Sequence, residues 1–415
     1  MTGFRVCLCL LALSMVVVPV QAQALFQKTL VSTVKNVHVG SWTTTGKNLT
    51  PDCRIPWSVR LVRLHGGKQE GVDLIVIDNG QLKMTLIPTR GLGIQSVQLG
   101  DLRLGWDSPV KEVVHPKFIN LQARGGLGWL EGFTEWLCRC GMENNGQPGT
   151  DRFVYNVGDE ATMELTLHGK VANIPAQDVK LILRGTKTKP RIVIQGRVDE
   201  KMLFGPKLEL HTEISTQVGS SRFRIDDKVV NAGAQAQEFQ MLYHLNFGRP
   251  LLQEGARFVA PLAKVAPFNK RAGEDLHRFS SYDAPTPGYV EQVYVMEPLA
   301  NQAGKTTILL RNRKGDRGAS MTYRVKELPY LTLWKNTGAI TDGYVTGIEP
   351  GTNYPNTRRI ERKFGRVPKL AAGKGHRMTI DVGLHVTAAE VSGVVRGIEA
   401  IQGKRKTKVV RMPEK

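Results

Sequence analysis

Cysteine is scarce in this 415-residue chain, and the few thiols are poorly spaced for pairing. Of the five, Cys7 and Cys9 fall in an N-terminal apolar stretch, leaving Cys53, Cys138 and Cys140. An odd number in an exported chain leaves at least one thiol unpaired. Cys138 and Cys140 are too close for a comfortable disulfide or a usual zinc pair. A bridge from Cys53 to either stays open, but buried, inert thiols are the expectation. No HExxH and no Cys/His cluster with zinc spacing occurs, so no metal site is expected. A serine-centred GxSxG is missing too, which argues against an α/β-hydrolase-type nucleophile.

Acid is also in short supply. Against 57 Lys and Arg stand 37 Asp and Glu, a formal charge of +20. That balance favours acidic partners: an anionic surface, a polyanionic glycan or nucleic acid. The basic residues are scattered, however, with no RNP-type aromatic motif and no basic helix. The one dense run is Lys404-Arg405-Lys406 with Lys408 and Arg411. Nucleic acid is therefore not expected as a partner, and the excess reads as a solubilising surface. Long apolar runs are confined to the N-terminus. Arg5, the apolar stretch Cys7 to Val20 and the small-residue sites Val20-Gln21-Ala22 and Ala22-Gln23-Ala24 read as a signal peptide over residues 1–24. No cysteine forms a lipobox at the cleavage point, and no later segment is apolar enough to span a bilayer. The expectation is a periplasmic or extracellular protein without stable membrane insertion. Oligomeric state is not legible.

Helical periodicity is rare as well, which excludes repeating βαβ units. What is present is alternation. Gln81-Leu82-Lys83-Met84-Thr85-Leu86 alternates strictly after an Asn79-Gly80 turn, as does Thr162 to Leu167. Further strands are expected over 73–77, 179–184, 191–198, 207–216, 221–230, 238–246, 306–312, 320–326, 330–335 and 378–386. Without a Pro/Ser-rich linker, one large antiparallel β-sandwich with few short helices is the expected fold, over residues 25–387. Residues 25 to about 60, with Trp42 and Trp57, read as an irregular lead-in. Gly126 to Arg139 reads as a short helix. Val391, Val394, Val395, Ile398 and Ile401 form one stripe of a helix over 388–402, docked on the body and followed by a disordered basic tail to residue 415.

Two segments far apart in the chain each carry a proton-transfer residue. In Met241-Leu242-Tyr243-His244-Leu245-Asn246-Phe247-Gly248, alternation puts Leu242, His244 and Asn246 on one face and Tyr243, Leu245 and Phe247 on the other. In Gly347-Ile348-Glu349-Pro350-Gly351-Thr352-Asn353-Tyr354-Pro355-Asn356, two prolines and two glycines restrain the backbone around Glu349 and Asn353. An imidazole beside a carboxylate can give one proton and take another. The plain alternatives are a satisfied core histidine and an exposed turn acid. His168, closing a strand in Leu167-His168-Gly169-Lys170, is either a rim ligand or a turn histidine. Trp129, in the glycine- and aromatic-rich Gly125 to Phe133, either stacks on a pyranose ring or packs a core. Glu143 lies in a polar run, Gly141 to Gly146, and Arg90 in Pro88-Thr89-Arg90-Gly91 offers a fork of donors for hydroxyls.

These blocks resemble the galactose-mutarotase-like superfamily, and more closely its DUF4432 branch of aldose 1-epimerase family proteins. The segments that carry the likeness are Pro88-Thr89-Arg90-Gly91, Gly128 to Phe133, Cys140 to Gly146, Leu167 to Asn173, Tyr243 to Gly248 and Glu349 to Pro355, within roughly residues 60–386. The resemblance implies a supersandwich of antiparallel sheets and an aldose 1-epimerase (mutarotase) that needs no cofactor. It implies Glu349 as general base, His244 as general acid, and His168 and Arg90 as sugar ligands. The implied partner is a free sugar or sugar derivative, possibly acidic given the net charge. Two other readings stand beside it: a noncatalytic carbohydrate-binding protein, and another isomerase or lyase acting on a modified sugar on the same fold.

Overall fold

The structure, a computed structural model, describes residues 24–412; the signal-peptide reading falls on residues outside them, Ala24 excepted. Two large sheets pack face to face. One has ten strands, with Gly375–His385, Arg222–Asn231, Lys207–Gln217, Pro190–Lys201 and Asp178–Gly185 as neighbours in its middle. The other has thirteen, and its central strands are Tyr330–Thr337, Tyr344–Gly351, Gln240–Phe247 and Leu137–Met142. Nearly all pairing is antiparallel, so the expected β-sandwich is the fold.

The strands form where side chains alternate, because successive residues point to opposite faces. In Arg222–Asn231, Phe223, Ile225 and Val229 join the main core, while Arg222, Arg224 and Lys228 face solvent. Gln240–Phe247 differs: all eight residues are buried. Tyr243, Leu245 and Phe247 enter the core between the sheets. Leu242 packs on the other face with Trp106, Trp129, Phe133, Cys138 and Cys140. Burying each large apolar side chain contributes about 1.5–3 kcal/mol. Buried on both faces, this strand has core on one side and the candidate site on the other.

A charge pair also crosses the core. Arg139, on Leu137–Met142, bonds Asp227 of the opposite sheet through Nε at 2.5 Å and Nη2 at 3.1 Å. Its remaining donors reach Thr212 Oγ1 at 2.8 Å and Leu92 O at 2.9 Å, and the Tyr243 hydroxyl donates to Asp227 at 2.8 Å. Arg139 and Asp227 side chains have no exposed surface. Every strong donor is matched, which offsets the desolvation of both ions.

Several expectations need correction. The lead-in is not irregular: Phe26–Ser32 pairs with Asp178–Gly185 in one sheet, and Trp42–Thr45 and Ser58–Arg63 edge the other. Trp57 is buried and donates to Thr50 Oγ1, which the sparse alternation there did not reveal. Gly126 to Arg139 is not one helix. Arg124 and Gly125 adopt positive φ, a 3-10 turn covers Gly128–Gly132, and Leu137 begins a strand. The helix Ala388–Gln402 is present, started by a Thr387/Glu390 capping box. Val391 and Ile398 pack on Leu309 at the outer face of the ten-stranded sheet. The tail after it is not wholly irregular: Lys408–Val409 pairs parallel with Lys264 and Val265. Cys53, Cys138 and Cys140 are free thiols. Among the described residues no helix is long and apolar enough to cross a membrane.

Replacing Asp227 with Ala strands the Arg139 guanidinium in the core. We expect a loss of about 3–5 kcal/mol, read as a lower urea midpoint by tryptophan fluorescence; an unchanged midpoint would show that the bridge contributes nothing.

Candidate active site

Strand register brings the two proton-transfer residues together. Leu242 pairs with Gly351 and Leu245 with Ile348, which sets His244 directly across from Glu349. Cross-strand partners put their side chains on one face. His244 Nε2 lies 3.2 Å from Glu349 Oε1, and the two residues are 4% and 2% exposed. Gly347, on the same face two residues before Glu349, leaves the room: a Cβ there would collide with Glu349 Oε1 and His244 Cε1.

Around the pair stand rings. Phe133 and Trp334 approach the His244 imidazole edgewise at 5.3 and 5.5 Å between centroids. The His168 imidazole lies 5.2 Å away, and Trp129 covers His168 at 4.7 Å. Three buried polar atoms among these residues have no hydrogen-bond partner: Glu349 Oε1, Trp129 Nε1 and Thr332 Oγ1, Thr332 being the cross-strand neighbour of Glu349. Unpartnered buried polar atoms are rare in folded proteins and call for an explanation.

Burial sets the protonation of the pair. Desolvation pushes the Glu349 carboxyl well above its ordinary range, helped by the nearby Glu291 carboxylate. Desolvation pushes His244 well below its ordinary value, with His168 adding to the shift and the bond to Asn246 opposing it. Both effects favour the neutral forms, so the pair's one proton sits on Glu349. Loss of water is the first cause of both shifts.

The tautomer of each histidine follows from its partners. Asn246 Nδ2 donates to Glu135 O at 3.0 Å and His244 O at 3.1 Å, which turns Oδ1 toward His244 Nδ1 at 2.6 Å. Oδ1 only accepts, so Nδ1 carries the hydrogen and Nε2 is the bare nitrogen facing Glu349. His168 Nδ1 likewise donates to Asn145 O at 2.9 Å, leaving Nε2 as an acceptor. His168 sits at φ +58°, with Gly169 beyond it also at positive φ. Burial lowers its pKa to about 4.

The remaining expected ligands support the site rather than line it. Arg90 is buried, ion-paired with Glu135, and donates to Val114 O, Asn173 Oδ1 and Gly132 O. Its donors are spent on the scaffold, so it cannot present a fork to a sugar. Through Gly132 it holds the turn that carries Trp129, and through Glu135 the residue whose carbonyl anchors Asn246. Asn246 is a positioning residue for His244. Asn353 and Asn145 exchange amide bonds at 2.9 and 3.1 Å, which fixes the carbonyl that His168 uses. Glu143 faces Arg358 at 3.7 Å and Lys170 at 3.8 Å, in a separate cavity of about 330 Å³. Trp129 is 1% exposed and part of the roof. The half-buried ring is Trp334, whose Nε1 donates to the exposed Glu291 at 2.7 Å. Sequence reading passed over both, although Tyr330 to Lys335 had been marked as a strand.

Site and architecture together define a β-supersandwich of the galactose-mutarotase-like kind, with a histidine–carboxylate pair on the outer face of one sheet. The chain belongs to the DUF4432 family, described as a domain of unknown function, whose model matches residues 69–384. A solved structure from Klebsiella pneumoniae subsp. pneumoniae, provisionally named an aldose 1-epimerase, is 37% identical. It superposes with a TM-score of 0.88 over 94% of this chain and 99% of its own. A galactose mutarotase-like protein from Clostridium acetobutylicum shares the fold at 13% identity, with a TM-score of 0.55 over 84% of this chain and 99% of its own. No curated protein matches the sequence.

A depressed histidine pKa makes an acid-side stability prediction. Unfolded His168 takes up a proton near its ordinary 6.5 and the folded residue only near about 4. Between these values the unfolded state binds more protons, so stability falls as pH drops through that window. His168→Gln should flatten this part of the urea-midpoint profile between pH 6.5 and 4; a profile of unchanged slope would refute the buried neutral imidazole.

Proposed function

We propose that this protein interconverts the anomers of a free aldose or aldose derivative, with His244 and Glu349 exchanging protons with the sugar. The observation that carries the reading is the pair itself. The His244 imidazole and the Glu349 carboxyl meet at 3.2 Å on one strand-paired face, buried where the neutral forms are favoured, and Glu349 Oε1 has no hydrogen-bond partner among the described residues. The name borne by the Klebsiella relative points to the same reaction.

From the ligand-free protonation state, His244 Nε2 removes the hydrogen of the anomeric hydroxyl while Glu349 protonates the ring oxygen. The C1–ring-oxygen bond breaks and the anomeric hydroxyl becomes the aldehyde carbonyl. The pair is left as imidazolium and carboxylate. After rotation about C1–C2, the new hydroxyl returns its proton to Glu349 as its oxygen attacks the other face of the carbonyl. His244 protonates the carbonyl oxygen, and the protein ends as it began. The assignment of Glu349 as base and His244 as acid is the other protonation state of the same one-proton pair; it starts from imidazolium and carboxylate and passes through the neutral pair while the ring is open. His168, with a bare Nε2, would accept from a sugar hydroxyl, and Trp334 offers a ring face near the opening. The signal-peptide reading adds that the reaction takes place outside the cytoplasm.

Anomer exchange is measurable by NMR on a panel of free sugars. Each positioned proton transfer contributes about 10²–10⁴-fold, so Glu349→Gln should drop the enzymatic rate by at least roughly the lower figure while sugar binding persists. Equal exchange by both proteins would sink the proposal, and binding without any exchange in the wild type would favour the noncatalytic reading.

A further inference from the structure

The outer face of the ten-stranded sheet, on the opposite side of the sandwich from His244 and Glu349, carries a groove of about 1370 Å³. Its floor is built from strand register. Arg191 pairs with Gln217, whose neighbour across the next strand is Arg222, and Arg222 pairs with Gly383, itself opposite Ser320. These positions form one row across five strands with side chains on a common face. Gly383 leaves the row open at its middle: a Cβ there would stand 3.1 Å from Ser320 Oγ. The flank of the terminal helix, at Gly397 and Ala400, makes one wall, and Arg405 closes the end.

Charge distinguishes this groove. Four arginines line it against the single acid Asp381, and that acid is already taken by Arg224 at 2.7 and 2.9 Å. Arg191 and Arg222 have no ion-pair partner among the described residues, and Arg405 donates only to the helix-end carbonyls of Ile401 and Gln402. The adjoining depression on the same sheet face is different. Its arginines 184, 197 and 377 each sit against a carboxylate, Glu213, Asp178 and Asp226 respectively. On this sheet face the arginines are therefore paired with carboxylates in one half, where Lys180 and Lys228 still leave a mild positive excess, and Arg191 and Arg222 stand unpaired in the other. Arginine forks match carboxylate and sulfate oxygens, and the row's hydroxyl and amide groups suit sugar hydroxyls. Among the described residues lining the groove, the rings of Phe223 and His385 are 3% and 5% exposed, so no ring face is offered for base stacking, a main source of affinity for single-stranded nucleic acid.

We propose that this groove binds an extended acidic polysaccharide, its anionic groups held by Arg191, Arg222 and Arg405. One strand lies between those of Arg191 and Arg222, so two inter-strand steps set them roughly 10 Å apart, which fits anions repeated along a chain better than one small anion. The site does not depend on anomer exchange by His244 and Glu349, and its test reads binding alone.

The full mature chain would be titrated by calorimetry with polygalacturonate at two salt concentrations, with neutral dextran and single-stranded DNA as comparison polymers. We expect saturable binding to polygalacturonate that weakens with salt, and none to dextran. Arg191→Glu/Arg222→Glu should weaken it by roughly tenfold or more. The charge-matched Lys83→Glu/Lys111→Glu, two exposed lysines elsewhere, should bind as wild type. Circular dichroism and the urea midpoint check that both double variants keep the native fold. Equal loss in both double variants, or tighter binding of DNA than of polygalacturonate, would reduce the effect to net charge and overturn the proposal. Unchanged binding by the arginine double variant would overturn it as well.

Discussion

The Arg139–Asp227 bridge fixes more than the distance between two sheets. Side chains on a strand alternate, so an inward Arg139 makes Cys138 and Cys140 face outward and floor the site. Tyr243 bonds the same Asp227, which fixes the inward phase of the neighbouring strand and turns His244 outward. On the next strand Ile348 belongs to the core, so Glu349 emerges beside His244. A slip of one residue on any of these strands would bury the imidazole or the carboxylate in the apolar core. On the strand of Arg139 it would also leave the guanidinium and Asp227 unpaired. A hydrophobic pattern alone would tolerate such slips more readily than a buried ion pair does, and that is how a costly interaction specifies register.

Below the site's surface the polar network runs outward in two arms. One goes from Arg90 through Glu135 to Asn246 and so to His244 Nδ1. The other goes from Asn353 through Asn145 to His168 Nδ1. Each ends on an oxygen that accepts from the ring nitrogen facing away from the site, which leaves both Nε2 atoms bare. The chemistry is then decided by burial. In an aromatic enclosure neither the imidazolium nor the carboxylate is favoured at rest, so charge separation is deferred until a sugar supplies hydroxyl groups. The unpartnered Glu349 Oε1, Trp129 Nε1 and Thr332 Oγ1 are where such groups could be matched.

Much of this was legible in the sequence, and the boundary follows a physical line. Alternation over 241–247 assigned the faces of His244 and Tyr243 correctly, and the apolar stripe of 388–402 located a real helix. Both depend on periodicity, which a chain displays openly. Arg90, Asn246, Asn353 and Glu143 were picked by residue type as sugar ligands, yet their polar atoms are turned to protein partners. Residue type says what a side chain can bond, and only the fold says which bonds are already made. Trp42 and Trp57 sat in a stretch too weakly alternating to read as strand, although tertiary pairing makes Trp42–Thr45 one. Trp334 and Glu291 gave no signal, because a tryptophan on a strand looks like core until its edge is found bonded to an exposed acid.

The same distinction governs the excess of positive charge. Along the chain the arginines and lysines are spread out, and dispersion suggested a solubilising surface. Folding sorts them by partner. Strand register places Arg184, Arg197 and Arg377 beside carboxylates, where their charge is cancelled locally. It places Arg191 and Arg222 in a row with Gln217, Gly383 and Ser320, where nothing cancels it. The terminal helix then delivers Arg405 to the same groove from far along the sequence. Solubility alone requires net charge but no such sorting, since paired and unpaired arginines hydrate a surface in either arrangement. A field concentrated in one groove by unpaired arginines draws anions to that groove in particular, and the separation of paired from unpaired arginines on one sheet face is what distinguishes a recognition surface from a merely basic one.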